Sequence, residues 1–211
     1  MLATLALTTV DEVLSQAGMR DADPNRVASL INQASQDFIN KLGRELHFQE
    51  GRVDRVPGFG TRDLHVSLNP MTELTAVSLD GGAIDITELY FTSDPLGETS
   101  LRWSNNACWR WTAAYAPGID LNPIAGTEAA SYLVEYSGGY VTPQQANDDP
   151  LLTRSLPFDI ERAVLDYVVS LHRGSGRDRA VTNRTSASGS QSWQQYPAGY
   201  IETINHWKHF G

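Results

Sequence analysis

Residues 23–48 constrain the chain more than any other stretch. Asp23 can cap a helix, because its carboxylate accepts from the free N–H groups of a first turn. Pro24 follows at the first helical position, where a missing N–H costs nothing. Val27, Leu30, Ile31, Ala34, Phe38 and Leu42 then recur at helical spacing, with Asn32, Gln33, Gln36 and Asn40 mostly on the other face. Gly43 stands where a left-handed cap ends such a helix, and residues 44–48 turn towards extended chain. One apolar stripe cannot bury itself, so the rest of the chain must cover it.

Two other segments can do so. Thr9 and Glu12 form a T-x-x-E capping box that predicts a helix of about two turns. Val10, Val13, Leu14 and Ala17 lie on one side of it, and Gly18 closes it. The short connection to Asp23 predicts a helical hairpin. A further helix starts near Pro157, with Asp159 and Glu161 in the first turn, where the dipole favours acids. Ile160, Val164, Tyr167, Val168 and Leu171 form its dry stripe, and His172, Arg173 and Gly174 end it. It can pack on the Asp23 helix.

Between these helices the period changes to two. Residues 52–56 and 63–68 alternate around the turn Pro57-Gly58-Phe59-Gly60. Residues 74–79 and 83–86 flank Asp80-Gly81-Gly82, the strongest hairpin signal in the chain. Further strand candidates are 88–92, 100–103, 109–113 and 131–136, with a Pro/Gly-rich loop over 116–126 and an irregular connection over 138–150. The fold class expected is α+β: a helical bundle with a mostly antiparallel β insertion and an extended C-terminal tail. Its parts are 1–48, 49–140, 141–173 and 174–211.

Charge and cysteine content narrow the function. The 211 residues carry a formal net charge of -9. Residues 1–149 hold 9 Lys+Arg and 20 Asp+Glu, whereas 150–211 hold 7 and 5, so the two parts face different surroundings. An acidic chain is a poor candidate for tight phosphate binding. Cys108 is the single cysteine, which excludes an internal disulfide and fits a reducing compartment. Residues 1–7 lack a positive n-region and are too short for a signal peptide or a membrane span. A soluble intracellular protein without a membrane partner is expected.

The end of the chain has its own character. Residues 174–192 are rich in Gly, Ser, Thr and Arg, and no stable structure is expected there in isolation. Such a tether spans roughly 25 Å. Aromatic residues then return as Trp193, Tyr196, Tyr200, Trp207 and Phe210, and Tyr200, Ile201, Ile204 and Trp207 have helical spacing. A helix of about three turns is marginal alone, so this tail is expected to be mobile until a partner covers it. Arg173, Arg177, Arg179 and Arg184 have only Asp178 as a nearby acid and suit an acidic partner surface.

A search for catalytic patterns is mostly negative. Cys108 reads as a buried structural thiol. His206 and His209 are spaced to share a metal but lack a nearby third ligand, so a solvated or interfacial pair is preferred. Gly58-x-Gly60 lacks the context of a nucleotide loop. Asp148-Asp149 reads as a turn before Pro150 rather than a cation site. There is no G-x-S-x-G or H-E-x-x-H, and Asn183-Arg184-Thr185 is a glycosylation sequon without a secretion signal. Trp103, Trp109, Trp111 and Tyr115 can stack on sugars or fill a core or a subunit interface. The core or interface reading is preferred, and a carbohydrate- or peptide-binding β module stays as the alternative function.

The order of these pieces resembles the head–tail connector proteins of tailed phages, also called adaptors or head-completion proteins. The resemblance rests on the T-x-x-E helix at Thr9, the Asp23 helix and its Gly43-Arg44-x-Leu46-x-Phe48 exit. It extends to the hairpin Leu79-Asp80-Gly81-Gly82 and the strand end Val134-Glu135-Tyr136-Ser137-Gly138-Gly139-Tyr140. The helix with Pro157, Ile160 and Ala163 completes it. These signals are short, and their shared order spans nearly the whole chain. The resemblance implies a non-enzymatic structural virion protein that needs no cofactor. It implies a ring of twelve subunits under the portal, in the neck between head and tail, assembled in the host cytoplasm. Its partners would be the portal, a tail or neck protein and other copies of itself, with genomic DNA only as passing cargo. Portal contact would fall to the C-terminal segment: Trp193, Tyr196, Tyr200, Ile204, Trp207 and Phe210, with Arg177, Arg179 and Arg184 along the tether.

Overall fold

Helix α1 (Val10–Leu14) forms behind the expected capping box: the Thr9 side chain accepts from the Glu12 N–H, and the Glu12 carboxylate accepts from the Thr9 N–H. Asp23 caps α2 (Pro24–Leu42), accepting from the Asn25 N–H, and Gly43 ends it in the left-handed region at φ 82°. Strands β1 (Gln49–Val56), β2 (Leu64–His65), β3 (Met71–Leu79), β4 (Gly82–Ile84), β5 (Leu89–Ser93), β6 (Thr99–Trp103) and β7 (Tyr132–Gly138) follow. Helices α3 (Pro143–Asp148) and α4 (Phe158–Arg173), strands β8 (Asn183–Ser186) and β9 (Gly189–Ser192), and helix α5 (Tyr200–Trp207) complete the chain.

This computed structural model describes residues 2–93, 99–110, 131–174, 183–186, 189–192, 196–197 and 199–208. They form an α+β fold of two units: Met1–His47 with Tyr140–Gly211, and Phe48–Gly139.

In the helical unit the stripes of α2 and α4 meet as their spacing demands. Val27, Ile31, Ala34 and Phe38 of α2 share one core with Ile160, Val164, Val168 and Leu171 of α4. Val13 of α1 and Met19 close one side. Glu161 is buried in this unit, and its charge is met by Arg154, which also reaches Glu12 at 2.7 Å. Burial opposes the Glu12 charge, but hydrogen bonds from Arg154, Thr9 and Thr8 outweigh it and hold the carboxyl below its ordinary value.

The β unit contains two antiparallel sheets, ordered β1-β7-β3-β4 and β2-β6-β5. Asp80 and Gly81 both adopt positive φ between β3 and β4, the geometry a two-residue hairpin requires. Gly58 is obligatory for a different reason: a Cβ there would lie 2.1 Å from the Arg110 carbonyl oxygen and 2.7 Å from the Tyr132 ring. Inside, Tyr136 donates to Asp54 at 2.7 Å and accepts from the Leu68 N–H at 2.9 Å. Asp54 also accepts from the Ser67 N–H and hydroxyl, both at 2.8 Å, and from Arg52 at 3.0 Å.

Several expectations are corrected. The second candidate strand contracts to Leu64–His65, since the backbone of residues 66–68 turns away to meet Tyr136 and Asp54. Residues 109–110 are not strand; the Trp109 N–H donates to the Thr61 carbonyl, and 111–113 lie outside the described residues. The connection expected to be irregular contains α3, capped by Thr142 with Gln145 in a full capping box. Within the stretch expected to lack structure, β8 and β9 pair antiparallel.

Candidate functional site

The C-terminal aromatic residues were expected to wait for a partner. The structure instead seats Tyr200, Ile204 and Trp207 in the core of their own helical unit, at 1%, 3% and 8% exposure. The chain supplies what this marginal helix needs. Tyr200 packs edge-on to Phe38 of α2 and lies against Tyr167 of α4, with ring centroids 5.6 and 4.6 Å away. Tyr196 stacks on Tyr200 at 5.3 Å, and Lys41 sits 5.0 Å above the Tyr196 ring. Trp207 meets Tyr140 edge-on at 6.2 Å.

Two carboxylates pin the helix. The Tyr200 hydroxyl donates to Asp37 at 3.0 Å, and the Trp207 indole N–H donates to Asp159 at 2.6 Å. Lys41 completes the first contact, 3.1 Å from Asp37. Burial, then the Asp37 charge beside it, push the Tyr200 hydroxyl far above its ordinary pKa, so it stays a donor. Hydrogen bonds to Tyr196 and then Asp37 raise Lys41. Neither Asp37 nor Asp159 stood out in the sequence, because a lone surface acid carries no signal of a distant aromatic donor.

The other side chains expected in this site divide. Tyr196 is half-buried within the cluster. Trp193, Phe210, Arg177 and Arg179 lie outside the described residues, and Arg184 is placed only as backbone of β8. Ile201 is exposed on the outer face of α5, beside Glu202 and His206.

Of the four aromatic residues weighed as a ligand platform, the two described ones pack on each other. Trp109 is fully buried, packs on Trp103 at 5.2 Å and Tyr132 at 5.0 Å, and donates its indole N–H to the Leu101 carbonyl. Trp111 and Tyr115 lie outside the described residues. Cys108, expected to be buried, is exposed, because its neighbour Trp109 turns inward instead. His206 is exposed, and His209 lies outside the described residues. Among the described residues no three His, Cys, Asp or Glu side chains group to hold a metal, and no helix is long and apolar enough to cross a membrane.

The fold and these surfaces define an α+β protein of two units in which aromatic and acidic groups converge on packing. Solved structures share that fold over nearly its full length. One similar chain is in the virion of a native gene transfer agent particle (TM-score 0.54, 14% identity, 98% of this chain and 92% of the other). Another is in the neck of a native particle computed with C12 symmetry (TM-score 0.53, 14% identity, 98% and 91%). A third is in the neck of an empty particle computed with C6 symmetry (TM-score 0.51, 12% identity, 98% and 92%). No family model and no curated protein matches the chain.

Proposed function

We propose that this chain is a structural head–tail connector subunit, one of about twelve forming a ring in the neck of a tailed-phage-like particle. The observation that carries this reading is the full-length likeness to chains from neck structures, one of them computed with C12 symmetry. In this proposal the ring docks under the portal, a tail or neck protein attaches below, and the genome passes through without being held. The acidic balance suits such a conduit, since phosphate affinity comes from Lys and Arg. Tyr200, Ile204 and Trp207 contribute from within, anchoring α5 so that its outer face meets the portal, and Trp193, Tyr196 and Phe210 are assigned to the same contact. Arg177, Arg179 and Arg184 are assigned to the same partner. Catalysis has no part in this role.

The test is electron microscopy and light scattering of the full chain, alone and with purified portal protein. Closed rings that bind portal are expected, together with no duplex DNA binding in a gel shift at physiological salt. A monomer at every concentration that ignores portal overturns the reading, and tight duplex binding overturns the passive conduit.

A further inference from the structure

The most exposed large apolar side chains of the described residues are Leu151 and Phe158, at 90% and 74% exposure. Both belong to the helical unit, on the segment that leads from α3 into α4. That segment is held firmly. The Leu151 and Leu152 N–H groups donate to Asp149, the Ser155 and Leu156 N–H groups donate to the Val141 carbonyl, and Arg154 joins Glu12 to Glu161. A presented apolar pair on a pinned backbone loses little freedom on docking.

The same unit carries a hollow with both apolar and charged walls. The hollow, of about 380 Å³, opens beside the far end of α4, lined by Asp166, Val169, Ser170, Arg173 and Pro197. Phe158 starts α4 and Arg173 ends it, so knob and hollow are at opposite ends of one 16-residue helix. No single copy can bring them together along a straight helix of roughly 24 Å. The charges are also opposite in sense. Asp148, Asp149 and Asp159 flank the knob, and the one cation of that segment, Arg154, is already paired with two carboxylates. At the hollow, Asp166 is neutralised by Arg162 at 3.0 Å, and Arg173 is exposed, donating to the Ala17 carbonyl at 3.0 Å with no carboxylate partner among the described residues.

We infer that the occupant of the hollow is a second copy of this chain, with Leu151 and Phe158 of one subunit seated against Val169, Ser170, Arg173 and Pro197 of the next. Knob and receptor are different patches, so the contact is heterologous: repetition yields a ring where the rotation closes and a filament where it does not. This inference rests on the ring reading above and names its subunit contact.

The experiment uses the full chain and two single variants. Phe158→Asp spoils the knob, and Ser170→Trp fills the hollow. Each should keep the wild-type melting temperature and weaken self-association at least about thirtyfold, as loss of an interface anchor does. Mixed in equal amounts, the two should form dimers and nothing larger, since each retains the half that the other lacks. Arg173→Glu serves as a second hollow-side variant and should pair with Phe158→Asp in the same way. Rings that survive either variant, or a mixture that stays monomeric although both variants are folded, overturn this contact while leaving the ring intact as a function. A wild-type chain that forms no oligomer overturns the ring reading itself.

Discussion

Around α5 the helical unit keeps its polar ties at the rim of an aliphatic and aromatic core, and its buried carboxylate Glu161 meets a single cation, whereas the β unit gathers several donors around a carboxylate set inside. Asp37 and Asp159 reach inward to a hydroxyl and an indole at the edges of α5. Asp54 is itself buried and gathers Tyr136, Ser67 and Arg52 around it. Burial opposes its charge, but those hydrogen bonds prevail and hold the carboxyl below its ordinary value. The contrast predicts that the helical unit depends on volume and the β unit on satisfied hydrogen bonds. Removing one partner of a buried polar network leaves the others unpaired, a greater loss than the net worth of any one bond.

Trp207→Ala offers the largest test. It empties a core position and frees the Asp159 carboxylate, and should destabilise the helical unit by about 3–5 kcal/mol. Hydrogen exchange followed by region should show α5 opening first, with the β unit unchanged; equal loss in both units would break the contrast.

Asp54→Asn follows, at about 3 kcal/mol in the β unit alone. Its pH dependence sharpens the point. A carboxyl whose folded pKa is depressed stabilises the fold fully above its unfolded value, near about 4. That contribution fades as pH falls through the lower folded value. Urea midpoints of the β unit should therefore decline in acid for the wild type and be flatter for Asp54→Asn. Parallel declines would assign the acid sensitivity elsewhere, with Asp63 the next candidate because its hydrogen bond from Arg102 lowers it too.

Gly58→Ala should cost about 1–3 kcal/mol, since its methyl group meets the Arg110 backbone as well as the buried Tyr132 ring. A neutral result would mean that the turn shifts freely. Tyr200→Phe is the smallest change. It keeps the ring stack and removes one bond to Asp37, for about 1–1.5 kcal/mol by thermal unfolding. A loss as large as that of Trp207→Ala would show that α5 relies on polar ties after all.

The same contrast explains what the sequence could disclose. The stripe of α2, its Asp23 cap and its Gly43 stop lie within a few turns of one another, so spacing alone revealed them. The hairpin at Asp80-Gly81 was equally local. Tyr136 and Asp54 lie 82 positions apart, and nothing at either site announces the other. α5 was recognised as a helix, but its burial was not foreseen, because its receptors Phe38 and Tyr167 had already been counted as partners for each other's helices. α3 was missed although Thr142-Pro143 and Gln145 spell a helix start; the punctuation at Asp148-Asp149-Pro150 outweighed it. Neither Leu151 nor Phe158 carries a signal of its own, since Leu151 follows Pro150 in a turn and Phe158 lies off the dry stripe of its helix.

One backbone detail reaches beyond stability. The Tyr140 N–H donates to the Leu46 carbonyl at 2.7 Å, and His47 bridges to Tyr140 beside it. The chain therefore leaves the helical unit and returns to it at a single port. Closing that port costs about the same whatever the length of chain between its ends, since loop-closure entropy grows only slowly with length. Such a port tolerates changes of length between its two ends at little entropic cost to the helical unit.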